Sequence, residues 1–180
     1  NPGAIAIIAG THIESHPQAD QLHAWLSYLS TLVQADLHHL TQGANAAGAW
    51  LAGAIPHRAA FSIPTTQQGM HALDMLHAKL PVYFIHGLET AYDFVDPVLA
   101  RAAFEDADCV VGLQSFVTDD MRDHCDILLP IAAMSEFSGS FVNAHGALQR
   151  FNSAVLPPGC AKPGWKVYKA LSHLLSLDAL

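Results

Sequence analysis

Apolar positions along the chain follow two different periods, and the alternation between those periods predicts the fold. Ala4 to Ala9 is a continuous isoleucine-rich run ending at Gly10, and Val82–Ile85, Cys109–Leu113 and Ile127–Leu129 are similar short runs bounded by polar or turn residues. Runs this short are too brief for buried helices and read as strands packed on both faces. Leu37 to Leu40 is a further short strand. Elsewhere the spacing is three and four. Leu22, Trp25, Leu26, Leu29, Leu32 and Val33 predict an amphipathic helix ending near Ala35, with Ser15 and Gln18 at capping-box spacing around Pro17. Met70–Leu76 predicts a short helix, and Asp96 followed by Pro97 opens another through Phe104. Thr118 caps a short helix whose first turn carries Asp119 and Asp120, where the helix dipole favours acids. Val167, Tyr168, Leu171, Leu174 and Leu175 share one side of a last helix from Trp165 to Leu175.

Strand and helix alternating through short connections predict an α/β fold, a parallel sheet with right-handed crossovers and helices on both faces. Pro56, His57, Arg58 and Pro64 make Ile55–Pro64 irregular and divide a smaller α/β lobe, residues 1–64, from an α/β lobe with the C-terminal helix, residues 65–180, the two packed together. Pro157, Pro158, Gly159 and Pro163 form a second rigid linker. Open α/β sheets bind ligands at the carboxyl ends of their strands, so the loops after Leu113 and Leu129 are the first place to look for a site.

Composition narrows the function. A chain of 180 residues suits one large or two small domains and can bury roughly 70% of its unfolded surface. A formal charge of -8 with eight Lys plus Arg, none of them clustered, argues against a nucleic-acid partner. The longest weakly polar run, Ala44–Pro56, contains Asn45 and is well short of the ~20 residues that span a bilayer. The chain opens on Asn-Pro-Gly with neither an initiator methionine nor a signal-peptide pattern, and is expected to be a piece of a longer protein. Cys109, Cys125 and Cys160 form no C-x-x-C pair, so they build no cluster or zinc knuckle alone and are expected to be buried reduced thiols.

Candidate chemistry is sparse. His12, Glu14 and His16 have ligand-like spacing, but only a helix would converge them, and Pro17 disfavours helical backbone at His16. They are expected to be surface residues, with no metal. The adjacent His38 and His39 point to opposite faces of a strand. Gly43–Gly48 looks like a phosphate loop, yet Ala49 and Trp50 follow where Lys and Ser or Thr are needed, which leaves close backbone packing. No G-x-S-x-G elbow exists, and Ser138-Gly139-Ser140 near His145 is a glycine-loosened loop rather than a triad. Asp126 and Glu136 are read as hydrogen-bonded caps, not an acid and base. No catalytic residue emerges.

From Thr118 onward the residues meet a known pattern: a threonine, a spacer, Ala-Asp-Val-Val-Leu-Pro, a glutamate, then Gly-Thr-x-x-Asn-x-Glu-Gly-Arg-x-Gln. The matching positions are Thr118, Asp126, Leu129, Pro130, Glu136, Gly139, Asn143, Gly146 and Gln149. In this the chain resembles the molybdopterin oxidoreductase family, which implies the fold of formate dehydrogenase and DMSO reductase domains; Thr118, Gly139, Asn143, Gly146 and Gln149 are the family-motif positions to inspect for a cofactor, and none is assigned as a contact. Two positions depart from the pattern: His145 stands where the family has Glu, and Ala147 where it has Arg, a bidentate donor for phosphate. Within the family, Gly43–Arg58 is similar to the large iron-sulfur subunit of bacterial NADH-quinone oxidoreductase (respiratory complex I). That resemblance implies a structural part without activity or cofactor of its own, with iron-sulfur clusters in a missing amino-terminal region. It also implies other peripheral-arm subunits as partners, a place on the inner face of the bacterial cytoplasmic membrane without insertion, and support of electron transfer from NADH to quinone. The alternative is a cofactor-contacting domain of a true molybdopterin enzyme such as a formate dehydrogenase.

Overall fold

The computed structural model describes residues 5–14 and 16–176. They fall into two compact units, one taking in the chain to Gln68 together with Ser140–Arg150, the other Gly69–Gly139 and Phe151 onward. In the first unit, β1 (Ala6–Ala9) pairs in parallel with β2 (Asp36–His39), Ala6 opposite Asp36 and Ala9 opposite His39. Parallel neighbours need a crossover. Here it consists of a single helical turn, α1 (Thr11–Glu14), and the long helix α2 (Ala19–Val33). Ser15 of the expected capping box lies outside the described residues; Gln18, at the N-cap position, makes no side-chain cap bond, and its backbone N–H donates to His16 Nδ1 at 3.0 Å. The helix ends where Gln34 turns left-handed.

The expected apolar stripe of α2 is only partly covered. Leu22 and Leu26 are half-buried, while Trp25 and Leu32 are 72% and 66% exposed. The reason is length: a 15-residue helix runs ~22 Å, whereas four-residue strands offer ~13 Å to lie against. Past the turn at Gly43, α3 (Ala46–Ala52) begins, and the phosphate-loop look-alike proves to be packing. A Cβ on Gly48 would come within 2.0 Å of Asn45 Oδ1, and that same oxygen accepts the Val142 N–H at 2.8 Å.

The second unit runs α4 (Ala72–Ala78), β3 (Val82–His86), α5 (Thr90–Asp93), α6 (Pro97–Glu105), β4 (Cys109–Gln114), α7 (Asp119–His124), β5 (Ile127–Pro130) and, after a 3-10 turn at Met134–Glu136, α8 (Gly164–Leu174). Strands β3, β4 and β5 lie in that order and pair in parallel, so the α/β class expected from periodicity holds. Both faces of β4 are covered. Val110 joins Leu76, Tyr83, Ile85, Ala100, Ala103 and Phe104, so α4 and α6 cover that face. Val111 and Leu113 point the other way, with Ile131, against Val167 of α8. Fully burying a leucine such as Leu113, 0% exposed, contributes about 1.5–3 kcal/mol. Gly112 suits the same packing, since a Cβ there would sit 2.9 Å from Leu128 Cδ2 and 3.0 Å from Cys125 Sγ and those side chains would have to shift.

Two caps read from sequence are present: Asp96 Oδ1 accepts from Val98 and Leu99 N–H, and Thr118 Oγ1 from Met121 N–H. Three expectations change. The Ser138-Gly139-Ser140 stretch is not simply a loop: Gly139 and Ser140 begin a hairpin, β6 (Gly139–Val142) and β7 (Leu148–Phe151). Leu174 and Leu175 are exposed at the end of α8. No cysteine is fully buried: Cys109 and Cys125 are half-buried and Cys160 is exposed, because Cys160 lies in the linker rather than in a strand.

Candidate functional site at the sheet's carboxyl edge

Three parallel strands of the second unit end side by side, and the loops that leave them are tied to one another. Gly87, at φ 63°, turns the chain directly after β3 and donates its N–H to Leu113 O at 3.0 Å. Gln114 is buried, and its Nε2 donates to Leu88 O at 3.0 Å. The one amide placed at the end of the central strand is thereby committed to holding the neighbouring loop. Asp93 accepts the Glu89 N–H at 2.6 Å, and Thr90 beside it is 2% exposed.

Gly87, Glu89, Gln114, Ser115, Phe116, Ala133 and Met134 line a cavity of about 210 Å³ there. Ligand pockets usually measure ~300–1,000 Å³, so a dinucleotide would not be enclosed. Its charged lining is the single carboxylate of Glu89. A pyrophosphate needs cations or convergent N–H donors. These strand ends do not fit it. A larger groove of about 530 Å³ lies elsewhere in the unit, lined by Lys162, Trp165 and Lys166 along with Glu136 and Ser153.

Most family-motif positions have a local task. Thr118, in the second unit, caps α7. Gly139 starts β6 where a Cβ would lie 2.7 Å from Phe151 Cζ, which excludes a side chain. Asn143 Oδ1 accepts from both His145 and Ala147 N–H at 3.0 Å, closing the hairpin loop in which Gly146 takes φ 78°. Gln149, His145 and Ala147 are exposed. Asp126 Oδ2 accepts the Val110 N–H at 2.7 Å and so ties the start of β5 to β4, and Glu136 Oε2 accepts the Ala133 N–H at 2.8 Å and so caps the 3-10 turn; both carboxylates are engaged with backbone. The Ser138 hydroxyl accepts the Ser153 N–H.

The profile of the molybdopterin oxidoreductase family matches residues 4–174. The chain belongs to that family. Among curated proteins it is similar to two from Staphylococcus aureus, strains MRSA252 and USA300, both provisionally named formate dehydrogenases. Identity is 32% and 30% over 95 residues, which is 53% of this chain and 10% of each relative. The matched stretch thus spans only a tenth of those proteins' length. Within this family member, what sequence reading missed is the use of Gln114 at the sheet edge; a glutamine directly after the apolar run Cys109–Leu113 was the available signal. It also missed the partners of Glu14. The structure does not group Glu14 with His12 and His16 but with His23 and His39, residues that are distant in sequence.

Electrostatics add little chemistry. Burial pushes the Cys125 thiol up, helped by the neighbouring charges of Asp126 and Asp120, and so keeps it protonated and unreactive. His86 Nδ1 and the Tyr168 hydroxyl are 2.9 Å apart; burial lowers the imidazole and raises the phenol, which holds both neutral. Among the described residues no helix is long and apolar enough to cross a membrane.

Proposed function

We propose that this chain is a structural part of a molybdopterin-oxidoreductase-like protein that carries electrons without using a pterin, of the kind found as the large iron-sulfur subunit of NADH-quinone oxidoreductase. It would hold cluster-bearing parts of a longer protein in place on the route from NADH to quinone, with other peripheral-arm subunits as partners at the inner face of the cytoplasmic membrane. One observation carries this reading: at the family-motif positions the polar side chains that have partners, Thr118 and Asn143, bond to nearby backbone, and no cation stands among them. Asn143 closes its own loop, Ala147 stands exposed in place of an arginine, and the strand ends present only Glu89.

A second reading has its own support. Lys162 and Lys166 beside Trp165 form a groove large enough for an anionic, stackable ligand, and the relatives are named as formate dehydrogenases. In that case the chain would be one cofactor-contacting domain of a molybdenum or tungsten enzyme. Elemental analysis and activity of the complete protein that contains this chain separate the two. Iron without molybdenum or tungsten, together with NADH-dependent quinone reduction by its complex, supports the first reading. Stoichiometric molybdenum or tungsten with formate oxidation overturns it.

A further inference from the structure

The parallel pair β1 and β2 has a carboxyl edge of its own, and three metal-ligating side chains meet there. Glu14 leaves β1 on α1, His39 is the last residue of β2, and His23 lies near the start of α2, which must begin at that edge because it carries the chain back to the start of β2. Glu14 Oε1 is 3.5 Å from His23 Nε2 and 3.8 Å from His39 Nδ1. All three ligand atoms lie within 4.8 Å of one another, and the two imidazole rings are 4.9 Å apart and tilted by 33°.

These separations are too long for hydrogen bonds, which run to about 3.2 Å for N–H···O. They are close to those between ligands around one ion: at ~2.0–2.2 Å from a tetrahedral zinc, ligand atoms stand ~3.4 Å apart. His39 Nδ1 adds an independent sign. It is buried and has no hydrogen-bond partner, although a buried imidazole nitrogen left unsatisfied costs about 1–3 kcal/mol. A cation between the three groups would satisfy it and draw the carboxylate in.

From this geometry we infer that Glu14, His23 and His39 bind one late first-row divalent cation, zinc being the best match. Two imidazoles and a carboxylate suit such ions rather than magnesium or calcium, which take oxygen ligands. With about a third of each side chain exposed, the fourth position goes to water, so the ion is exchangeable. The bound ion joins the exit of β1, the first turns of α2 and the end of β2. It staples a unit whose buried apolar residues are few, and binding therefore adds to the stability of that unit.

The test is calorimetric titration of the full chain, stripped with chelator and dialysed, with zinc chloride alone. One equivalent is expected to bind, with no heat from magnesium chloride. Glu14→Gln, His23→Ala and His39→Ala should each weaken zinc at least about 10-fold, since even outer-shell changes commonly cost that much, while His12→Ala and His38→Ala leave it unchanged. Zinc should also raise the melting temperature of the wild type but not that of Glu14→Gln, an exposed and nearly isosteric change that preserves the fold if a histidine variant does not. Absence of stoichiometric zinc binding, or binding that survives in Glu14→Gln and His23→Ala, would overturn the site.

Discussion

The second unit stacks helices on both sides of a three-stranded sheet, and most of the fully buried apolar side chains lie there, Leu113, Val110 and Met121 among them. The first unit repeats the same strand-helix-strand topology with two parallel strands and holds most of the β6–β7 hairpin, yet among its described residues only Ala9 and Val142 are buried apolar positions, while Trp25, Tyr28, Leu32 and Phe61 are largely exposed. Topology therefore does not supply a core by itself. A third parallel strand and a second layer do, because they give β4 two covered faces; the first unit has specific polar ties instead, Asn45 to Val142, Arg58 to Ser62 and Ser62 to Trp50.

The largest expected difference follows from this contrast. Leu113→Ala should cost about 2–5 kcal/mol in urea unfolding, whereas Leu32→Ala on α2 should stay within about 0.5 kcal/mol. Comparable losses at the two positions would erase the contrast. Next, Gly48→Ala should cost about 1–3 kcal/mol by driving a methyl into Asn45 Oδ1, and should speed hydrogen exchange at the Val142 amide while leaving β4 protected. Unchanged exchange at Val142 would remove the polar tie from the account of the first unit. Asp96→Ala should cost roughly 1 kcal/mol through loss of the α6 cap, read as a lower urea midpoint.

The smallest effect is electrostatic. Burial holds the folded-state value of His86 below its ordinary value near 6.5, so the unfolded chain takes up the proton first as pH falls. Stability is thus full above that ordinary value and declines below it towards the lowered one. The ring is partly exposed, so the slope should be shallow, and His86→Gln should flatten it. A decline that steepens in the variant would contradict the sign.

How much of this was legible in the sequence depends on how local each cause is. Strands β3, β4 and β5 and the caps at Asp96 and Thr118 announced themselves because run length and cap chemistry act within a few residues. The hairpin β6–β7 did not, since each strand is only four residues long and its shape comes from Asn143 folding back on its own loop. The exposure of Trp25 was hidden for a different reason: a helical period states which residues share a side, not how long a sheet awaits them. Glu14, His23 and His39 converge only through the pairing of β1 with β2, and no spacing rule joins residues brought together by a crossover.

The proposal that the family-motif positions here bind no pterin dinucleotide is put at risk by calorimetric titration of the wild type and Ala147→Arg with a guanine dinucleotide. Ala147 is exposed on the hairpin loop, so the arginine is accommodated without repacking. The account expects no measurable binding by either protein. Binding by the wild type that tightens in Ala147→Arg, as a charge-assisted bidentate contact to a pyrophosphate would make it, would contradict the account and favour the molybdopterin enzyme.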